Sequence, residues 1–167
     1  MTVKRGRRQQ AAEAMVAALK RFQDSVDLFD ATAAAALGIN ATDLRCLTAL
    51  RDRGAMKAGE VATHLGLTRG ATTTALDRLQ ARNYLTRNAH ACDGRSVVVE
   101  LTADGRARLD DIWGPMRRRG GEHLQAYTIC ELRLLEQFFE RSVELQTECT
   151  KLFARPVDSL SDPLPPP

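Results

Sequence analysis

The chain has 167 residues, of which 44% are hydrophobic, 27% charged and only 5% aromatic, with a formal net charge of +3. That composition belongs to a globular domain with a sizeable core and excludes a low-complexity chain, and so small a positive charge confines any nucleic-acid surface to a local patch. No stretch approaches the roughly 20 apolar residues that span a bilayer, and no apolar run follows the basic residues after Met1. Neither a signal peptide nor a membrane partner is therefore expected, and the chain is assigned to the cytoplasm.

Residues 1–9 carry Lys4, Arg5, Arg7 and Arg8 and almost nothing apolar. They read as a basic, disordered tail, with an arm that adds phosphate contacts as the sharper alternative. From Gln10 to Leu37 the apolar residues recur at helical spacing, with Met15, Phe22 and Phe29 in one seam and Leu19, Val26 and Ala33 in a second. So long a striped helix exceeds what a local core needs and points to a partner chain; a long core helix in a monomer is the alternative.

Gly38 ends that helix. Asn40 or Thr42 caps the next, whose apolar positions are Leu44, Leu47 and Leu50 and which closes at residues 51–54. A short helix, Ala58 to His64, turns Val61 and Leu65 inward. Gly66 supplies the turn, and Thr68 caps a helix running to Arg82. Asn83 stands where a helix end needs a residue tolerant of the left-handed conformation.

Tyr84 to Arg87 reads as a short strand, Asn88 to Ser96 as a polar hairpin tip, and Val97 to Leu101 as the returning strand. Thr102 caps a helix to about Arg119, bent at Gly114-Pro115. Gly120-Gly121 either ends it or lies within a continuation to Ala126. Thr128-Ile129-Cys130-Glu131 is a capping box that opens the last helix. The buried side of that helix is marked by Leu132, Leu135, Phe139, Val143 and Cys149.

The predicted fold class is mainly α (α+β), in the order α-α-α-α-β-β-α-α: a winged helix-turn-helix with long N- and C-terminal helices. The implied organisation is a tail at 1–9, a dimerisation helix at 10–37, a DNA-binding lobe at 38–101, dimerisation helices at 102–153 and a Pro-rich disordered tail at 154–167.

An α-helix fits the DNA major groove, and its N-terminal half meets the base edges. Here that half is Thr68-Arg69-Gly70-Ala71-Thr72-Thr73-Thr74. Its small hydroxyl side chains permit close approach, Arg69 can reach a guanine or a phosphate, and the helix end offers free amides. At the hairpin tip Arg95 can enter the minor groove, where narrow walls concentrate negative potential. Asp93 can restrain its rotamers, and Arg87 at the strand edge is placed for phosphate. Alone, Asp93 and Arg95 would be a solvated ion pair; beside a helix-turn-helix they point to double-stranded DNA.

These residues resemble the MarR family of transcription regulators. Ala41 to Leu47 looks like the family's second helix, and Leu65 to Leu79 like its recognition helix and lead-in. Asp93-Gly94-Arg95-Ser96 through Leu101-Thr102-Ala103-Asp104-Gly105 looks like its wing and fifth helix. The resemblance implies a homodimer with interleaved terminal helices, bound to a pseudo-palindromic operator, usually as a repressor. It implies DNA contacts from Thr68, Arg69, Thr72, Thr73 and Arg78, with Asp93 and Arg95 acting at the wing. It also implies release by a small, often aromatic effector in a cleft lined by helices 1, 2 and 5, where Phe29, Cys46 and Trp113 are the candidate lining residues. Asn83 departs from the family's usual glycine, and His90-Ala91-Cys92 from its charged wing.

The four cysteines, Cys46, Cys92, Cys130 and Cys149, form no close pair and read as reduced thiols. Cys46 falls on the apolar side of its helix as a small core residue, while Cys92 sits near Arg87 and Arg95, cations that favour thiolate. A thiol-based redox regulator is thus one alternative, and a winged-helix protein-interaction module without DNA binding is another. His90 and Cys92 are too few for a metal site. No catalytic motif is present, and no cofactor is expected.

Overall fold

The computed structural model describes residues 2–90 and 93–153, apart from the side chains of residues 2–5, 89–96 and 153. The elements are α1 (Thr2–Leu37), α2 (Ala41–Arg53), β1 (Met56–Lys57), α3 (Ala58–Leu65), α4 (Arg69–Ala81), β2 (Leu85–His90), β3 (Asp93–Leu101), α5 (Ala103–Leu124) and α6 (Ile129–Phe153). Helix α1 and strand β1 differ from expectation. Residues 2–9, expected as a disordered tail, form the first turns of α1. Arg, Gln, Ala and Glu fill positions 7–14 and favour helix strongly, which outweighs the one glycine at Gly6. Strand β1 has two residues, too few to show the alternation by which a strand is recognised.

The chain divides into two compact units, with the division after Pro115, inside α5. In the first unit each helix of the lobe is delimited as its sequence indicates. Asn40 caps α2, its Oδ1 accepting the Asp43 N–H at 2.9 Å. Thr68 caps α4, its Oγ1 accepting the Ala71 N–H at 3.2 Å. Gly66 turns the chain between α3 and α4 at φ +65°, a conformation open to glycine without steric cost. Asn83 takes φ 60° after α4, and the Tyr84 N–H then donates to the Leu79 carbonyl at 2.9 Å. That is the left-handed helix stop expected of an asparagine.

Leu47 and Leu50 of α2, Val61 of α3, Leu76 and Leu79 of α4, and Val99 of β3 are buried together with Tyr84 and Leu109. Burying each such aliphatic side chain contributes about 1.5–3 kcal/mol relative to exposure. The sheet is antiparallel in the order β1-β3-β2. Leu85 pairs with Leu101 and Arg87 with Val99, and the register shifts between Ala89 and His90. The two long strands reach further than the expected 84–87 and 97–101. Backbone pairing in a hairpin requires no apolar side chains, so strand continues through residues that read as a polar tip.

A junction joins the lobe to the ends of its neighbours. The Thr102 hydroxyl donates to the Asn83 carbonyl at 2.6 Å and accepts the Gly105 N–H at 2.9 Å, capping α5. The Thr102 N–H donates to the Tyr84 carbonyl at 3.1 Å. From the other side, the Tyr84 hydroxyl donates to the Leu37 carbonyl at 2.8 Å, and Arg82 Nη1 donates to the Gly38 carbonyl. The last residues of α1 and α4 and the first of β2 and α5 therefore meet at one point.

In the second unit α5 runs through Gly120-Gly121 to Leu124. Thr128 and Glu131 form the expected capping box: the Thr128 N–H donates to Glu131 Oε2 at 2.8 Å and the Glu131 N–H to Thr128 Oγ1 at 3.3 Å. The bonds from Thr128 hold the Glu131 carboxyl below its ordinary value. Within this unit Leu132, Leu135 and Cys149 are half-buried, but Phe139 and Val143, expected on the buried side, are exposed. The same holds for Met15, Phe22 and Val26 along the α1 stripe. No helix among the described residues is long and apolar enough to cross a membrane.

Candidate nucleic-acid interface

The turn at Gly66 directs the N-terminus of α4 outward. Thr68, Arg69, Gly70, Ala71, Thr73 and Thr74 are exposed there, and Ala75, Leu76 and Leu79 anchor the opposite face in the core. Thr72 is a correction. Expected to face DNA, it is only 2% exposed, and its hydroxyl donates to the Thr68 carbonyl at 3.0 Å. It shares the helical face of Ala75, Leu76 and Leu79, and its methyl group packs inward while its hydroxyl is satisfied locally. A groove of about 530 Å³ runs beside the helix end, with Lys57, Glu60, Arg69, Thr73 and Val97 among its lining residues.

Ion pairs flank α4 on both sides. Asp77 pairs with Arg87 of β2 at 2.5 Å, and Arg87 Nη2 also lies 3.4 Å from the Thr73 carbonyl. Arg78, the next residue along, points the other way and grips Asp43 of α2, Nη2 to Oδ1 at 2.6 Å and Nε to Oδ2 at 3.2 Å. Arg78 and Arg87 were expected as DNA contacts; each is first a brace of α4. Asp43 and Asp77 are functional candidates absent from the sequence expectations. A capping-turn aspartate and a surface aspartate carry no signal in one dimension that reveals partners 35 and 10 positions away. The backbones of Asp93 and Arg95 lie in β3. Their side chains, like Cys92 as a whole, lie outside the described residues.

Among the expected effector residues, the structure brings Phe29 and Trp113 together, edge to face with centroids 5.8 Å apart. It leaves Cys46 out: that side chain is sealed in the lobe core at 0% exposure, which corrects its expected place in a cleft. Burial, then Asp43, pushes the Cys46 thiol up to about 11, so it stays protonated and inert at neutral pH. Arg51, not foreseen, stacks its guanidinium 4.7 Å from the Trp113 ring centroid. Its Nε donates to Asp52 at 2.9 Å, and its buried Nη1 has no hydrogen-bond partner among the described residues. Nearby, burial and then Asp27 raise the Asp30 carboxyl above its usual range, with Arg51 opposing. Among the described residues no group of three or more His, Cys, Asp or Glu side chains could hold a metal.

A helix-turn-helix with an exposed second-helix N-terminus, followed by a two-stranded wing, defines the winged-helix class of DNA-binding proteins. The MarR family model matches residues 39–97. An uncharacterized HTH-type transcriptional regulator of Bacillus subtilis, YcgE, is 31% identical over 72% of this chain and 79% of its own. The chain belongs to the MarR family of winged helix-turn-helix, DNA-binding transcriptional regulators, which are not enzymes. Solved structures agree on the fold. RV1404 of Mycobacterium tuberculosis superposes with a TM-score of 0.60 at 23% identity, covering 78% of this chain and 93% of that one. A cysteine-to-serine mutant of Escherichia coli MarR, solved with operator DNA, gives a TM-score of 0.54 at 23% identity, covering 74% and 89%.

Proposed function

We propose that this protein is a homodimeric repressor that binds a pseudo-palindromic operator and is released by a small aromatic ligand. The observation that carries the DNA reading is the outward N-terminus of α4, where Thr68, Arg69 and Thr73 stand exposed beyond the Gly66 turn while Thr72 is buried on the opposite face. Arg78 and Arg87 add phosphate contacts from the flanks, and Asp93 and Arg95 act at the wing. The solvent-exposed apolar seams of α1 and α6 support the dimer, since contiguous apolar surface of that kind marks an interface. Residues 10–37 and 102–153 are then the dimerisation helices and 38–101 the DNA-binding lobe.

The test is a gel shift with the DNA upstream of the protein's own gene. Sub-micromolar binding that weakens steeply with salt is expected, with half-sites protected about 10 bp apart. Arg95→Ala should weaken binding by about 1–3 kcal/mol. Wild-type affinity in that variant would refute the wing contact.

Phe29, Trp113 and Arg51 support the ligand reading. Two aromatic rings and a half-buried guanidinium, one nitrogen of which is buried without a partner among the described residues, suit a flat ring bearing a carboxylate. Trp113 is the sole tryptophan, so its fluorescence reports binding directly. Titration with benzoate should quench it and dissociate the DNA complex. Arg51→Gln should weaken that response about tenfold or more, the scale of one charged hydrogen bond. An Arg51→Gln variant that responds like wild type would remove Arg51 from the site.

A further inference from the structure

We infer that Asp43 is a positioning residue for DNA binding: it fixes the Arg78 guanidinium on the flank of α4 so that the remaining N–H groups of that guanidinium meet a phosphate. The inference rests on the DNA-binding reading above and deepens it. Asp43 lies in the first turn of α2, where a helix N-terminus favours an acidic side chain, and its own N–H is bound by the Asn40 cap. The cap and the helix hold the carboxylate in place before any partner arrives. The Asp43 side chain is 4% exposed and that of Arg78 43% exposed, so the pair spans the boundary between core and surface.

The division of labour within the guanidinium follows from its shape. It has five N–H donors in a planar fork. The edge formed by Nε and one hydrogen of Nη2 is taken by the two oxygens of Asp43. Two parallel bonds to a fixed carboxylate remove the rotation that a free arginine keeps, and the three remaining donors point away from Asp43. Arg78 lies one helical turn beyond Thr74, on the exposed side of α4. The Asp77–Arg87 pair on the other flank offers a contrast. Its aspartate is 57% exposed, so solvent screens that carboxylate far more than the buried one of Asp43. An arginine braced from below by a buried carboxylate keeps its charge and loses little freedom on meeting DNA.

The experiment measures affinity for the upstream DNA as a function of salt in Arg78→Gln, Asp43→Asn and the double variant, with folding checked by circular dichroism and melting. Arg78→Gln should weaken binding about tenfold and lower the slope of log K against log salt by about one, the signature of one lost phosphate contact. Asp43→Asn, with the arginine intact, should weaken binding severalfold, and the double variant should bind no worse than Arg78→Gln alone. A purely structural aspartate would lower the melting temperature yet leave affinity and slope unchanged, and its effect would add to that of Arg78→Gln; either result overturns the inference. Should Asp43→Asn fail to fold, Arg78→Lys takes its place: it keeps the charge but lacks the planar fork that grips both carboxylate oxygens, so severalfold weaker binding is expected, and wild-type affinity there overturns the inference. Failure of the wild-type protein to bind any of this DNA would instead sink the DNA reading itself.

Discussion

Replacing Gly105 by alanine should cost about 3 kcal/mol or more of folding stability, although alanine is the better helix former. Gly105 lies in the first turn of α5, where propensity alone would favour alanine by about 1 kcal/mol. A Cβ built there, however, falls 2.1 Å from the Tyr84 carbonyl oxygen and 2.9 Å from its carbon, both backbone atoms. No rotamer can relieve that overlap. The Tyr84 carbonyl is itself held by the Thr102 N–H, and Tyr84 is fixed through its ring, 2% exposed, and its hydroxyl bond to Leu37. Relief therefore requires moving α5 away from the junction and breaking the Thr102 cap, which puts the penalty at the upper end of overpacking effects. For a chain of this size the melting temperature should fall by roughly 6–12 °C. Gly121→Ala provides the opposite sign: it lies inside the same helix with nothing within 4 Å of the added Cβ, so a gain of about 0.5–1 kcal/mol is expected. A Gly105→Ala protein that melts with wild type would show that the close approach at Tyr84 is not a constraint.

That junction also explains which parts of the molecule were legible in one dimension. Thr102, Asn83, Thr68, Asn40 and the Thr128–Glu131 box announce themselves because capping is local: donor and acceptor lie three or four positions apart, within reach of any sequence scan. The apolar spacing of Leu44, Leu47 and Leu50 is likewise a local signal. What stayed hidden is non-local. The Asp43–Arg78 and Arg51–Trp113 contacts join residues far apart in the chain, and a lone charged residue gives no sign of its partner. The burial of Thr72 is hidden for a related reason. Its chemical resemblance to Thr73 and Thr74 conceals that one step around a helix is 100°, enough to turn a side chain from solvent into the core. The residues of the α1 and α6 seams read as apolar from their spacing, but spacing does not reveal that Met15, Phe22, Phe139 and Val143 stand exposed in the single chain.

Phe22→Asp and Phe139→Asp should each convert the protein from dimer to monomer and abolish operator binding at concentrations where wild type is saturated. Phe22 stands 56% exposed on α1 and Phe139 46% exposed on α6, so neither substitution removes a core contact of the single chain, and each variant should retain its helical circular dichroism. If these faces close against a second copy, the new carboxylate is buried without a partner. An unpaired buried charge weakens such an interface by about 3–5 kcal/mol, roughly two to four decades in dimer dissociation constant. The DNA effect follows from linkage. A dimer delivers its second α4 at high effective concentration once the first is bound, so uncoupling the lobes forfeits a further 10²–10⁴-fold. Glu140→Gln, on the neighbouring position of α6, changes charge without adding a buried carboxylate and should leave both properties within experimental error. Light scattering and gel shift on the same samples separate the alternatives. Monomeric wild type would remove the dimer. A dimeric Phe139→Asp protein with intact DNA binding would place α6 outside the interface and leave its exposed Val143 and Leu145 without a role in assembly.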